Sequence, residues 1–166
     1  MASNLIEDGD IIFIDASTSS FQIADFISHK KDITVVTNSI IVSTILTKQG
    51  IKNFCAGGEL QQNSMCYAGS MAEDFIRNFN FDKIFFSSYG VSDKNIIVDT
   101  SLPETKLRKT AINQSKLKIF LCDKSKFNLS ASYNLIDLED VNYIITDKDD
   151  IKGIIKSDDI KVLICN

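Results

Sequence analysis

The sequence predicts a three-layer α/β fold, in which a mostly parallel sheet carries helices on both faces. Three observations predict it. Short runs of β-branched and aromatic residues recur along the chain, as in strands covered on both sides. Segments with helical apolar spacing separate most of these runs, and such alternation implies a parallel sheet. Each predicted strand ends in small, polar or charged residues that suit turns and helix caps.

Ile11–Ile14 is the first strand, and Asp15-Ala16-Ser17-Thr18-Ser19 follows it. Ser19 and Gln22 have capping-box spacing for a helix through Phe21, Ala24 and Ile27. Ile33–Val36 is the second strand, ending in Thr37-Asn38-Ser39, where Asn38 is placed to cap a helix carrying Ile41, Val42, Ile45 and Leu46. Gly50 terminates that helix. Ile51–Ala56 is a third strand, closing in a Gly57-Gly58-Glu59 turn and an irregular stretch. Ala68, Ala72, Phe75, Ile76 and Phe79 then lie on one helical face.

Asp82–Ser88 is a fourth strand, closing at Tyr89-Gly90, and Ile96–Val98 is a short extra one. Ser101-Leu102-Pro103-Glu104 announces a helix to about Ser115 by capping-box spacing and by a proline in the first turn. Lys118–Cys122 is a fifth core strand, followed by Asp123-Lys124-Ser125-Lys126. Tyr143–Ile145 and Lys161–Ile164 are two final strands around a short helix near Asp149–Lys156. Ser3–Glu7 reads like the last turn of a helix that begins upstream, as in a piece cut from a longer protein.

Composition narrows the function. The 166 residues form one expected domain, large enough for a core of its own. A formal net charge of −4 argues against a nucleic-acid surface, which is usually basic. No apolar run exceeds four residues, far short of a membrane span, and the first ten residues lack the pattern of a secretory signal. Cys55, Cys66, Cys122 and Cys165 include no C-x-x-C pair and read as reduced thiols near core strands, which points to the cytoplasm. The lone histidine, His29, beside Lys30 and Lys31, suits a helix end better than a zinc site or a catalytic triad. No metal and no cofactor is expected.

Ligands of open α/β sheets bind outside the carboxyl ends of the strands. Those ends here are Asp15–Ser19, Thr37-Asn38, Gly57-Gly58-Glu59, Ser88-Tyr89-Gly90 and Asp123–Lys126. Ser17-Thr18-Ser19, after a strand and opening a helix, offers hydroxyls and backbone N–H groups to an anion such as a phosphate. Dinucleotide and Walker-type glycine motifs are absent, as is G-x-S-x-G. Asp15, Glu59 and Glu104 are candidate acid/base groups for sugar chemistry, with strand-end hydrogen bonding, a solvated turn and the capping box as their respective local alternatives.

Ile6-Glu7-Asp8-Gly9-Asp10-Ile11-Ile12-Phe13-Ile14-Asp15 followed by Ser-Thr-Ser resembles the opening of the DeoR-family sensor domain, "I-x-D-G-D-x-I-F-x-D-x-G-T-T". Val35–Ser39, Gly57–Leu60, Asp123–Phe127 and Ile144–Asp147 follow in the family's order and approximate spacing. The resemblance implies a Rossmann-like fold similar to ribose-5-phosphate isomerase and the CoA transferases. It implies a bacterial regulator, most often a repressor, whose C-terminal domain senses a phosphorylated sugar while an N-terminal winged helix-turn-helix, outside this chain, binds DNA. On that pattern Ser17, Thr18 and Ser19 hold the phosphate, and Thr37, Asn38, Gly57, Gly58, Gly90, Glu104, Arg108 and Lys126 line the cleft. Ser17-Thr18-Ser19 departs from the family's Gly-Thr-Thr, Tyr89 replaces a small residue and would narrow the pocket or stack on a sugar, and Arg108 stands where Lys is expected. A homo-oligomer matched to a symmetric operator is expected. The alternative is a sugar-phosphate isomerase on the same fold, with Asp15, Glu59 or Glu104 as base.

Overall fold

Side chains alternate across the central strands and divide the apolar residues into two cores. Ile12 and Ile14 pack with Val35, Phe85, Ile119 and Ile145 on one face, against Ile23, Ala24, Val42 and Leu46. Phe13 packs with Val36, Ile84, Phe86, Phe120 and Ile144 on the other, against Ala72, Ile76, Leu107 and Ala111. Rings meet there at 5.5 Å (Phe13–Phe81) and 5.3 Å (Phe86–Phe120). Each such Val, Leu, Ile or Phe side chain contributes roughly 1.5–3 kcal/mol by leaving water.

The computed structural model describes residues 1–149, 151, 154–155 and 159–165. A 3-10 turn at Ala2–Leu5 leads into β1 (Ile11–Ile14), α1 (Thr18–Phe21) with a 3-10 extension at Gln22–Phe26, β2 (Thr34–Thr37), α2 (Ile40–Lys48) and β3 (Asn53–Cys55). A hairpin of β4 (Glu59–Gln61) and β5 (Cys66–Ala68) precedes α3 (Ser70–Ile76) and β6 (Phe81–Phe86). Then come β7 (Gly90–Val91), β8 (Ile96–Asp99), α4 (Leu102–Asn113), β9 (Ser115–Leu121), β10 (Tyr133–Asp137), β11 (Tyr143–Thr146) and β12 (Lys161–Ile164).

Seven strands form one sheet in the order β12-β11-β9-β6-β1-β2-β3, and every pairing in it is parallel. The predicted α/β architecture is the observed one. Two small antiparallel sheets, β10-β8-β7 and β4-β5, are additions. Glu59, expected in a turn, and the stretch expected to be irregular after it form the β4–β5 hairpin, in which Glu59 pairs with Ala68.

Several local expectations are corrected. Ser17, not Ser19, caps α1 by accepting from the Ser20 N–H, and the helix loosens to 3-10 after one turn. Ser39, not Asn38, caps α2 by accepting from the Val42 N–H. The α4 helix starts at the expected Ser101 cap but ends at Asn113, because Ser115 already pairs with Phe81 in the sheet. In the helix expected near 149–156, residues 150, 152–153 and 156 lie outside the described ones.

The Asp8-Gly9-Asp10 signature is a clasp at the other end of the sheet. Asp8 accepts from the Lys31 N–H at 2.9 Å, and Gly9, at φ +86°, donates to the Lys31 carbonyl at 2.9 Å. Asp10 accepts from the Glu7 N–H at 2.8 Å and from Lys83 Nζ at 2.6 Å, an ion pair buried on both sides. Removing one partner of such a pair leaves a charge without compensation, at about 3–5 kcal/mol. Lys83→Met is therefore expected to lower the melting temperature by roughly 6 °C or more. Lys83→Met with Asp10→Leu should recover part of the loss in the same calorimetric measurement.

Candidate functional site

The order of the sheet reverses at β1. The chain lays β2 and β3 on one side of it, then crosses back to place β6 on the other. Ligands of open α/β sheets bind outside the carboxyl ends of the strands at such a reversal. The residues that follow β1 and β6 are Asp15–Ser17 and Ser87–Ser88, so these two strand ends define the candidate cleft.

Asp15, 1% exposed, is the centre of it. Its Oδ1 accepts from the Ser17 N–H at 3.1 Å and the Ser17 hydroxyl at 2.6 Å. Its Oδ2 accepts from the Ser87 N–H at 3.2 Å and from Arg108 Nε at 3.0 Å. Arg108, 6% exposed on α4, also pairs through Nη1 with Asp99, and its Nη2 lies 3.9 Å from Glu104. Burial works against the guanidinium charge, but Asp15, Asp99 and Glu104 outweigh it and raise its pKa above the usual value.

Lys126 reaches the same place from the turn after β9. Its Nζ donates to the Ser87 hydroxyl at 2.8 Å and to the Ser88 carbonyl at 2.9 Å. It has no ion-pair partner among the described residues. Thr18 is exposed and Ser19 half-buried; among the described residues neither backbone N–H meets an acceptor. The single turn of α1 makes these amides, rather than a helix dipole, the donors on offer.

On the other flank, Thr37 accepts from the Ser39 N–H at 3.0 Å through its hydroxyl. Asn38, 3% exposed, donates to the Tyr67 carbonyl of β5 at 3.2 Å, while its Oδ1 is buried without a partner. Glu104 accepts from the Ser64 hydroxyl at 3.0 Å, which ties the hairpin to α4. Gly57, Gly58 and Glu59 are exposed at the foot of the hairpin, and a Cβ on Gly58 would meet the Ala68 carbonyl at 2.8 Å. Tyr89 is 46% exposed on the loop after β6.

The structure thus joins Asp15, Ser17, Glu104 and Arg108 directly, and Lys126 through Ser87. Ser20, Ser64, Ser87 and Asp99 are members that sequence reasoning missed. Asp99 carried a usable signal, since like Asp15 it is an acid directly after an apolar run. Burial pushes the Cys66 thiol up to about 11 and the Cys122 thiol up to about 12, so neither is a ready nucleophile. All four cysteines are free thiols. No group of three or more metal-ligating side chains is present among the described residues, nor is any of their helices long and apolar enough to cross a membrane.

The DeoR C terminal sensor domain family matches residues 1–148. The chain belongs to this family. Among relatives of the sensor domain, the "Lactose phosphotransferase system repressor" of Staphylococcus epidermidis is 32% identical over 91% of this chain and 61% of its own length. The "Transcriptional repressor AccR" of Agrobacterium fabrum is 28% identical over 89% and 58%. The "Putative aga operon transcriptional repressor" of Escherichia coli O157:H7 is 26% identical over 94% and 60%. The sensor domain thus spans about three fifths of the length of these relatives.

Solved structures share the fold. Ribose 5-phosphate isomerase A from Methanocaldococcus jannaschii superposes with a TM-score of 0.53 at 12% identity, covering 76% of the sensor domain and 50% of that chain. For eIF2B beta from Chaetomium thermophilum the TM-score is 0.52 at 17% identity, covering 80% and 38%.

Gly90 sets the floor of the Lys126 turn. A Cβ there would lie 2.7 Å from the Lys126 carbonyl and 2.8 Å from Leu129 Cβ. Gly90→Ala is expected to destabilise the domain by about 1–3 kcal/mol through overpacking, read as a fall in the thermal midpoint.

Proposed function

We propose that this sensor domain is the effector-binding part of a cytoplasmic transcriptional repressor, and that its effector is a phosphorylated sugar or a related metabolite. In the full protein a winged helix-turn-helix ahead of it binds DNA, and the protein acts as a homo-oligomer on a symmetric operator. Effector binding favours one arrangement of the repressor over another and so changes its DNA affinity. The repressor names of the relatives support the regulatory half of this reading.

The observation that carries the ligand half is Lys126. Its ammonium makes no ion pair among the described residues, though it interacts with Asp123 at longer range, and Ser87 and Ser88 fix it at the reversal of strand order, beside the Asp15–Ser17 turn. Together with the Thr18 and Ser19 amides it offers donors and positive charge to a phosphate. Thr37, Asn38, Gly57, Gly58, Glu59, Tyr89, Gly90 and Glu104 surround the remainder of the ligand. Binding without turnover is supported by Asp15, whose carboxylate is taken up by four donors and is no free base.

A thermal-shift series of sugar phosphates with the matching free sugars tests the reading. At about 100 Kd of ligand, linkage gives roughly 2.7 kcal/mol, a shift of roughly 5–10 °C for a domain of this size. One or a few phosphates are expected to give that shift, the free sugars none, and Lys126→Ala to remove most of it. Equal responses to a sugar and its phosphate would sink the assignment. The responding phosphate should also survive incubation unchanged by NMR; aldose–ketose conversion that vanishes with Glu104→Gln would favour an isomerase instead.

A further inference from the structure

We infer that Arg108 is a positioning residue: acting through Asp15, it sets the turn at Ser17–Ser20 and the seat of Lys126, and does not itself meet the effector. The binding part of this inference rests on the function proposed above; the positioning part does not.

The guanidinium is already over-committed. Nε and Nη1 face Asp15 and Asp99, and Nη2 has Glu104 at 3.9 Å, so three carboxylates surround one cation. Arg108 is only 6% exposed, and a phosphate that drew its Nε and Nη1 away would leave two buried acids unpaired, which is strongly unfavourable. The planar fork fits a different task. It spans one carboxylate at the end of β1 and another at the end of β8, a bridge that a lysine ammonium, as a point charge, does not reproduce.

Asp15 passes this constraint on in two directions. Through Oδ1 it holds the Ser17 N–H and hydroxyl; Ser17 Oγ in turn accepts from the Ser20 N–H at 3.2 Å and lies 2.7 Å from the Ser20 hydroxyl. Through Oδ2 it holds the Ser87 N–H, and the Ser87 hydroxyl accepts from Lys126. The amides of Thr18 and Ser19 and the ammonium of Lys126 therefore take their places from one carboxylate, and Arg108 fixes that carboxylate from behind.

Amide hydrogen exchange by NMR, together with binding of inorganic phosphate, tests the inference on the intact domain. In ligand-free Arg108→Lys, exchange at the Ser17 and Ser87 amides is expected to accelerate about tenfold or more, the equivalent of one charge-assisted hydrogen bond. Phosphate affinity should fall by a similar factor although the positive charge is kept. Lys126→Ala should weaken phosphate binding while the Ser17 amide keeps its protection. Asp99→Asn, at a residue that makes no hydrogen bond to the turn among the described residues, loosens Arg108 without removing a partner of Ser17 and serves if Arg108→Lys does not fold; it should also speed exchange at Ser17. Unchanged Ser17 and Ser87 exchange in the folded Arg108 or Asp99 variant would overturn the positioning role. Loss of phosphate binding in Arg108→Lys with unchanged exchange would assign Arg108 to direct contact. A wild-type domain that ignores phosphate, yet shows the expected exchange, would refute the ligand assignment and leave the positioning role standing.

Discussion

The Asp15–Arg108 ion pair is the constraint on which the candidate site depends. Asp15 ends the central strand, and α4 carries Arg108 across the same end of the sheet. A carboxylate this buried needs its lone pairs filled, because an unmet charge in the interior is costly. The fold fills them with groups from three elements, and in doing so brings the β1 turn, the end of β6 and α4 to one point. The grouping of polar residues at the candidate site follows from meeting that demand.

The sheet was legible because its strands are covered on both sides. In the run Ile11–Ile14 the last three residues are fully buried, as a strand covered on both sides requires, and the small and polar residues after each strand mark the edge that carries the candidate site. The caps were less legible. Ser17, Ser19, Asn38 and Ser39 are all good cap residues, and which one serves is decided by where the strand stops. The hairpin after Gly58 is illegible because β4 and β5 are three residues each, too short for an alternation to show: β4 buries no residue, and β5 buries only Cys66 and Ala68. Arg108 illustrates a deeper limit. Its position in the helix was clear, but its burial depends on Asp15, far away in sequence, and on Asp99, whose partner no local pattern names.

Sharing a fold with an isomerase at 12% identity places no chemistry in this cleft. The family signature also divides by role. Asp8, Gly9 and Asp10 clasp the far end of the sheet, whereas Asp15 and Ser17 bond to each other at the candidate site. One motif, read as a block, thus serves both stability and the site. Asn38 adds a further point: a buried acceptor without a partner is expensive to keep, and such groups in native proteins call for a reason.

The span between Asp15 and Arg108 has a consequence for how the domain is made. Arg108 follows Asp15 by 93 positions, and Lys126 lies further along still. Contacts so distant along the chain form late, since loop closure must come before any gain from them. During synthesis the first three strands emerge well before α4, and Asp15 waits without its counter-charge until the later half of the polypeptide arrives. The candidate site is therefore assembled from distant parts of the chain: β1, β2 and β3 with their turns supply Asp15 and Ser17, but neither Arg108 nor Lys126.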